Sequence, residues 1–204
     1  MNDLSLAHLR EKLQTLMAVD KAGDLRPFVC EGNPFDHRIF LVGLNPVTAI
    51  ESYWGYWDDS YGFHKEAWLE TYMRKKAEQG KQVTPTRRYL NLIAQAAGVP
   101  CLETDIYSKP TKKLRDLPDS ERKTDIFDCL VSAIRPRIML VYGKEAINHI
   151  QRHIESELTL EQFHDVEYKS INMSIYPCRH LAAVGWSNDK AASVGRQMGE
   201  LICL

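Results

Sequence analysis

The sequence predicts a three-layer α/β/α sandwich around a mostly parallel central sheet of four to five strands. Three observations lead there. Short apolar runs alternate with segments of helical periodicity along most of the chain, which implies βαβ crossovers and therefore parallel strands between helical layers. One run, Ile39, Phe40, Leu41 and Val42, is apolar without interruption, as expected of a strand covered on both faces. The chain has 204 residues, 44% of them hydrophobic, enough to bury a sizeable core as one globular domain spanning 1–204.

Taken in order, Leu6, Leu9, Leu13, Leu16 and Met17 recur at helical spacing with charges between them, so residues 4–19 form an amphipathic helix packed on the body. Strands follow at 27–31 and 37–42. Gly43 ends the second, where the missing side chain lets the backbone turn or approach a ligand, and Pro46 fixes the chain beyond Asn45. Helices are expected at 63–79, 86–97, 119–134, 143–156 and from 188 to the last residue. The remaining strands are expected at 101–107, 137–142 and 168–176. The longest irregular stretches, 47–62 and 108–118, both follow strands, which is where function concentrates.

A formal charge of −1 excludes a generally basic binder of polyanions and leaves room for a local basic groove. Asp3, Arg10, Glu11 and Lys12 interrupt the leucines of the amino terminus, so no signal peptide is expected. No segment has membrane-spanning length, and a cytoplasmic protein without a membrane partner follows. The five cysteines stand singly, with no CxxC pair, and read as buried free thiols. His149 and His153 lie four apart but off the apolar stripe of Ile147, Ile150 and Ile154. With no third ligand evident, no metal is expected there.

Four strand-to-loop junctions carry the chemistry: Gly-Leu-Asn-Pro at 43–46, Glu-Thr-Asp-Ile-Tyr-Ser-Lys-Pro at 103–110, Val-Tyr-Gly-Lys-Glu-Ala at 141–146, and Cys-Arg-His-Leu-Ala at 178–182. In order and spacing this series resembles the uracil-DNA glycosylase superfamily over about residues 27–204, with Thr104, Asp105, Lys109 and Pro110 similar to that family's third-strand junction. The resemblance implies the glycosylase-like fold and hydrolysis of an N-glycosidic bond. The partner would be DNA, single-stranded or mismatched, or a free nucleobase or nucleotide. Cleaving that bond needs a flipped nucleotide, a water held against the anomeric carbon and relief of charge on the departing base.

By this resemblance Asn45 orients the water and His180 donates a hydrogen bond to a base carbonyl. Gly43, Leu44, Pro46 and Asp105 border the base, and Trp57 or Phe63 stacks on it. Lys109, Lys112, Lys113, Arg115 and Arg179 are candidate phosphate contacts, with Arg87 and Arg88 near them. The chain departs from the family pattern in three places, one being Val47 and Thr48, which follow Asn45-Pro46 where related branches often continue with Gly. Leu181, Ala182 and Ala183 replace a Pro-Ser pair and the apolar wedge after it, leaving Val184 or Trp186 for that part. Asp105 stands where an Asn usually reads the base edge. The cysteine spacing matches no iron-sulfur cluster, so no cofactor is expected. A noncatalytic nucleic-acid or nucleotide binding module on the same fold is the alternative.

Overall fold

The apolar run after His37 becomes the centre of the sheet. In a computed structural model, which describes residues 5–19 and 25–203, strand β2 (Ile39–Gly43) is buried along its whole length. It pairs in parallel with β5 (Cys101–Asp105) on one side and β6 (Ile138–Tyr142) on the other. Beyond β6 lies β8 (Ile171–Cys178), also parallel. Two antiparallel strands close the edges: β1 (Phe28–Val29) beside β5, and β7 (His164–Tyr168) beside β8. The order is β1-β5-β2-β6-β8-β7, and a separate hairpin joins β3 (Trp57–Asp58) to β4 (Gly62–Phe63).

Side chains alternate between two cores, as the period of two requires. Phe40, Val42, Leu102, Met139 and Val141 face a cluster that includes Leu9 and Leu13 of α1 (Leu6–Val19), Phe127 and Leu130 of α4 (Asp125–Ile134) and Ile150 of α5 (Lys144–Gln151). Ile39, Leu41, Ile138 and Leu140 face the opposite cluster, with Ile93 of α3 (Pro85–Ala97) and Val194 and Met198 of α6 (Asn188–Cys203). Helices thus cover both faces. Helix α2 (Lys65–Glu78) packs into the first cluster through Trp68 and Tyr72.

The sheet has six strands where four to five were expected. The stretch expected as one strand at 168–176 is a hairpin in which Tyr168 pairs with Ile171 across Lys169 and Ser170. Both turn residues have positive φ, 48° and 61°, the geometry of tight hairpin turns, yet neither is the Gly or Asn that usually marks one. Helix α4 starts at Asp125 rather than 119. Residues 119–123 offer nothing apolar to bury and instead close a loop, with Arg122 donating to Leu117 O at 3.2 Å. Helix α5 ends at Gln151 rather than 156. The expected helix start at residue 4 and the final residue, 204, lie outside the described residues. Cys30, Cys101, Cys129 and Cys178 are buried free thiols as expected, whereas Cys203 is exposed. Among the described residues no helix is long and apolar enough to cross a membrane.

Helices α3 and α6 cross in close contact because α6 presents glycine at the crossing. A Cβ on Gly199 would run into the Ala97 carbonyl oxygen, and that oxygen belongs to a helix backbone with no room to yield. Gly199→Ala is therefore expected to destabilise the protein by about 1–3 kcal/mol, the usual cost of overpacking. Urea denaturation measures it, and an unchanged midpoint would show that the helices separate freely.

Candidate active site

The chain leaves β2 for β5 through α3 on one face, then passes back through β6 to β8 with α5 on the other. The direction of winding reverses between β2 and β6, and a crevice opens at their carboxyl ends, the usual ligand position in such sheets. A cleft of about 540 Å³ lies there. It is lined by the loop from Leu44 to Thr48, the end of β6 with the first turn of α5, the start of α3, the Tyr72–Lys76 face of α2, and His180.

The Leu44–Pro46 loop is fastened to the chain leaving β5. Ile106 and Tyr107 donate to Gly43 and Leu44 carbonyls at 3.0 and 2.8 Å, and Thr111 N–H donates to Pro46 O at 2.9 Å. Asn45 completes the clip: its Nδ2 donates to Thr111 O and Oγ1 at 3.0 and 2.9 Å and lies 3.2 Å from Pro46 O. With its amide hydrogens so engaged, Asn45 has its Oδ1 left to act, and that atom only accepts.

Gly43 is not at a turn and does not itself line the cleft. It lies within β2, and a Cβ there would sit 2.5 Å from both Asp105 Oδ1 and the Tyr142 hydroxyl. Its missing side chain is the space those two buried groups occupy. Asp105, 2% exposed, forms an ion pair with Arg26. Burial pushes the Asp105 carboxyl above its ordinary pKa while Arg26 pulls it back. Two residues earlier Glu103 meets Arg87 at 2.7 Å and Lys65 at 2.8 Å. Burial would raise this carboxyl, but the two cations outweigh it and hold it down to about 2. The stability this cluster supplies is therefore complete above the ordinary carboxyl range and is lost as pH falls through about 2. Trp68 backs both groups, its ring 5.7 Å from the Arg26 guanidinium and 5.5 Å from that of Arg87.

His180 stands at the cleft rim, edge-on to Tyr142 at 5.9 Å. Its Nδ1 accepts from Ala182 N–H at 3.2 Å, which places the ring proton on Nε2. Desolvation by the surrounding protein lowers its pKa, so at neutral pH the ring is uncharged with one N–H to donate.

Asn45, Asp105 and His180 thus line one cleft, together with Leu44 and Pro46. Trp57 and Phe63 do not. Both are buried against Phe28, at 6.2 and 5.7 Å between ring centres, and anchor the 47–62 stretch to the body. The aromatic rings at the cleft are Tyr72 and Tyr142. Within the basic run, Lys112 lines the cleft, whereas Lys109 pairs with Glu121 at 3.1 Å, Arg115 lies 3.9 Å from Asp116, and Lys113, Arg115 and Arg179 are exposed and do not line it. Arg88 lies over Tyr89, outside the cleft. His149 and His153 pack with their rings tilted against each other and meet Tyr107 and Tyr168 edge-on. No group of three or more metal-ligating side chains occurs among the described residues.

Arg26, Lys76, Thr84 and Lys144 escaped the sequence reading. The signal for Lys76 was present in Trp68, Tyr72 and Lys76, an i, i+4, i+8 row that puts a lysine on the buried face of α2. Five cationic side chains, Arg26, Lys76, Arg87, Lys112 and Lys144, and two carboxylates, Asp105 and Glu145, line the cleft. The cleft is cationic on a protein that is nearly neutral. No family model matches the chain, and no curated protein matches its sequence.

Proposed function

We propose that the cleft receives a nucleotide turned out of DNA and that the protein hydrolyses its N-glycosidic bond. The observation that carries this reading is the convergence of Asn45 and His180 on one cationic cleft at the carboxyl ends of the strands. A volume near 540 Å³ suits a nucleoside-sized ligand. Asn45 Oδ1 accepts a hydrogen from water and aims its oxygen at the anomeric carbon. Being neutral, the amide positions the water and does not deprotonate it. His180 Nε2–H donates to a carbonyl of the base as negative charge develops there, and the neutral imidazole does so without first losing a proton.

Two further features support the reading. Val184 is 93% exposed, two residues beyond the cleft-lining Ala182, and an apolar side chain so placed is suited to fill the gap left by a flipped base. Trp186, the other candidate wedge, is buried, and its Nε1 donates to Arg179 O at 3.2 Å. Lys112 at the cleft supplies a phosphate contact. The order of the four junction motifs, similar to that of the uracil-DNA glycosylase superfamily, supports the same reading.

Release of free base from a panel of oligonucleotides, each carrying one damaged or deaminated base and presented single- and double-stranded, tests the proposal. Release from at least one substrate is the expected result. Saturable binding with no base released in any context assigns the cleft to the noncatalytic alternative.

A further inference from the structure

Lys76 is a largely buried cleft cation that the chemistry above does not use. It stands in the last turn of α2 and is only 6% exposed, with Nζ 5.4 Å from the Tyr72 ring centre. Arg26, Lys65 and Arg87 each pair with a buried carboxylate, and even the adjacent Lys75 meets Glu51 at 3.2 Å. Among the described residues no carboxylate pairs with Lys76. The stem is buried while the ammonium lies on the cleft wall with no counter-charge beside it, which leaves its charge open to an anion in the cleft.

The start of α3 lines the same cleft. Thr84 caps the helix by accepting from Arg87 N–H at 3.2 Å, and Pro85 and Thr86 follow on the cleft wall. At this end Pro85 has no N–H, the Arg87 N–H is taken by Thr84 Oγ1 and the Arg88 N–H donates to Thr84 O at 3.0 Å, so the Thr86 N–H is the backbone donor the helix end can offer, with the helix dipole adding positive potential. Of the two carboxylates at the cleft, Asp105 is held by Arg26, and Glu145 is exposed on the first turn of α5.

We infer that Lys76 and the amino end of α3, with the Thr84 and Thr86 hydroxyls, form a phosphate-binding subsite. A phosphate of the nucleotide in the cleft fills it. The subsite follows from burial and charge alone; only its assignment to a nucleotide rests on the function proposed above. A phosphate offers several acceptor oxygens to one ammonium, two hydroxyls and the helix end, an arrangement that a single carboxylate satisfies less completely.

The test uses the full chain in buffer free of phosphate and sulfate, with inorganic phosphate as the first probe. Calorimetric binding and a rise in Tm with phosphate are expected for the wild type and for Lys76→Arg. Lys76→Met should lose affinity by about 10- to 100-fold, the effect of one charge-assisted hydrogen bond. It should also keep close to wild-type stability in the phosphate-free buffer, since Lys76 makes no ion pair among the described residues and methionine replaces most of its buried stem. A deoxynucleoside, its 5′-monophosphate and a dinucleotide with only an internal diester then identify the source. Dependence on Lys76 with the monophosphate alone assigns a terminal phosphate, and dependence with the dinucleotide assigns the backbone. Unaltered phosphate affinity in Lys76→Met, or no saturable response in the wild type, overturns the subsite. A Lys76-dependent phosphate site in a protein that releases no base from any oligonucleotide upholds the subsite and removes the excision reading alone.

Discussion

Replacing Asn45 by alanine is expected to slow base release by about two to three orders of magnitude, the scale of losing one positioned polar group in an active site. Substrate affinity should change little, because the lost contact is to the attacking water and the fall then appears in kcat and not in KM. Asn45 also holds its loop through Thr111, so some stability goes with it, about 1 kcal/mol for the lost hydrogen bonds. Thr111→Val separates the two parts. It removes the Oγ1 acceptor while keeping Thr111 O, and it should loosen the loop slightly while leaving most of the activity. Single-turnover assays with purified variants read the difference. Base release by Asn45→Ala at the wild-type rate sinks the role given to this residue.

The second large effect concerns stability. Arg26→Met leaves the Asp105 carboxylate buried without its cation, and breaking a buried pair from one side costs about 3 kcal/mol or more. The double variant Arg26→Met with Asp105→Asn should recover most of that loss, because no uncompensated charge remains. The single variant's deficit should also shrink on acidification. Burial already raises the Asp105 pKa, loss of Arg26 raises it further, and once the pH falls below that value the group is neutral. Denaturant titrations at pH 7 and pH 5 measure both effects. A single variant within about half a kcal/mol of the wild type, the scatter of surface substitutions, shows that solvent reaches the pair.

The buried strands of the sheet were legible because burial on both faces leaves an unmistakable apolar run, as at Ile39–Val42 and Ile138–Tyr142. The hairpin at Lys169 and Ser170 was not, since its positive-φ residues carry side chains that ordinarily avoid that conformation and its outer strand is half polar. At the site, Asn45 and His180 were legible from motif order. Asp105 was placed at the cleft, but its partner was not foreseen. Local sequence gives no sign that Arg26, seventy-nine positions away, neutralises it. This pairing constrains Asp105, whose Oδ2 already accepts from Arg26. The aromatic residues after the first motif misled for a related reason, because a long loop needs the same side chains for anchoring that a stacking platform needs for binding.

The edges of the sheet bear on behaviour at high concentration. An exposed strand edge is a template onto which another chain adds by backbone pairing. Strand β1 has two residues, the Tyr53 hydroxyl donates to Phe28 O at 2.9 Å, and Gly32 pairs with Phe63 beside it. Strand β7 carries exposed Asp165 and Glu167, whose charges repel an approaching copy of themselves. Intermolecular strand addition to the folded protein is thereby disfavoured at both ends of the sheet. Aggregation on storage or heating is then expected to begin from opened molecules and to track the unfolded fraction.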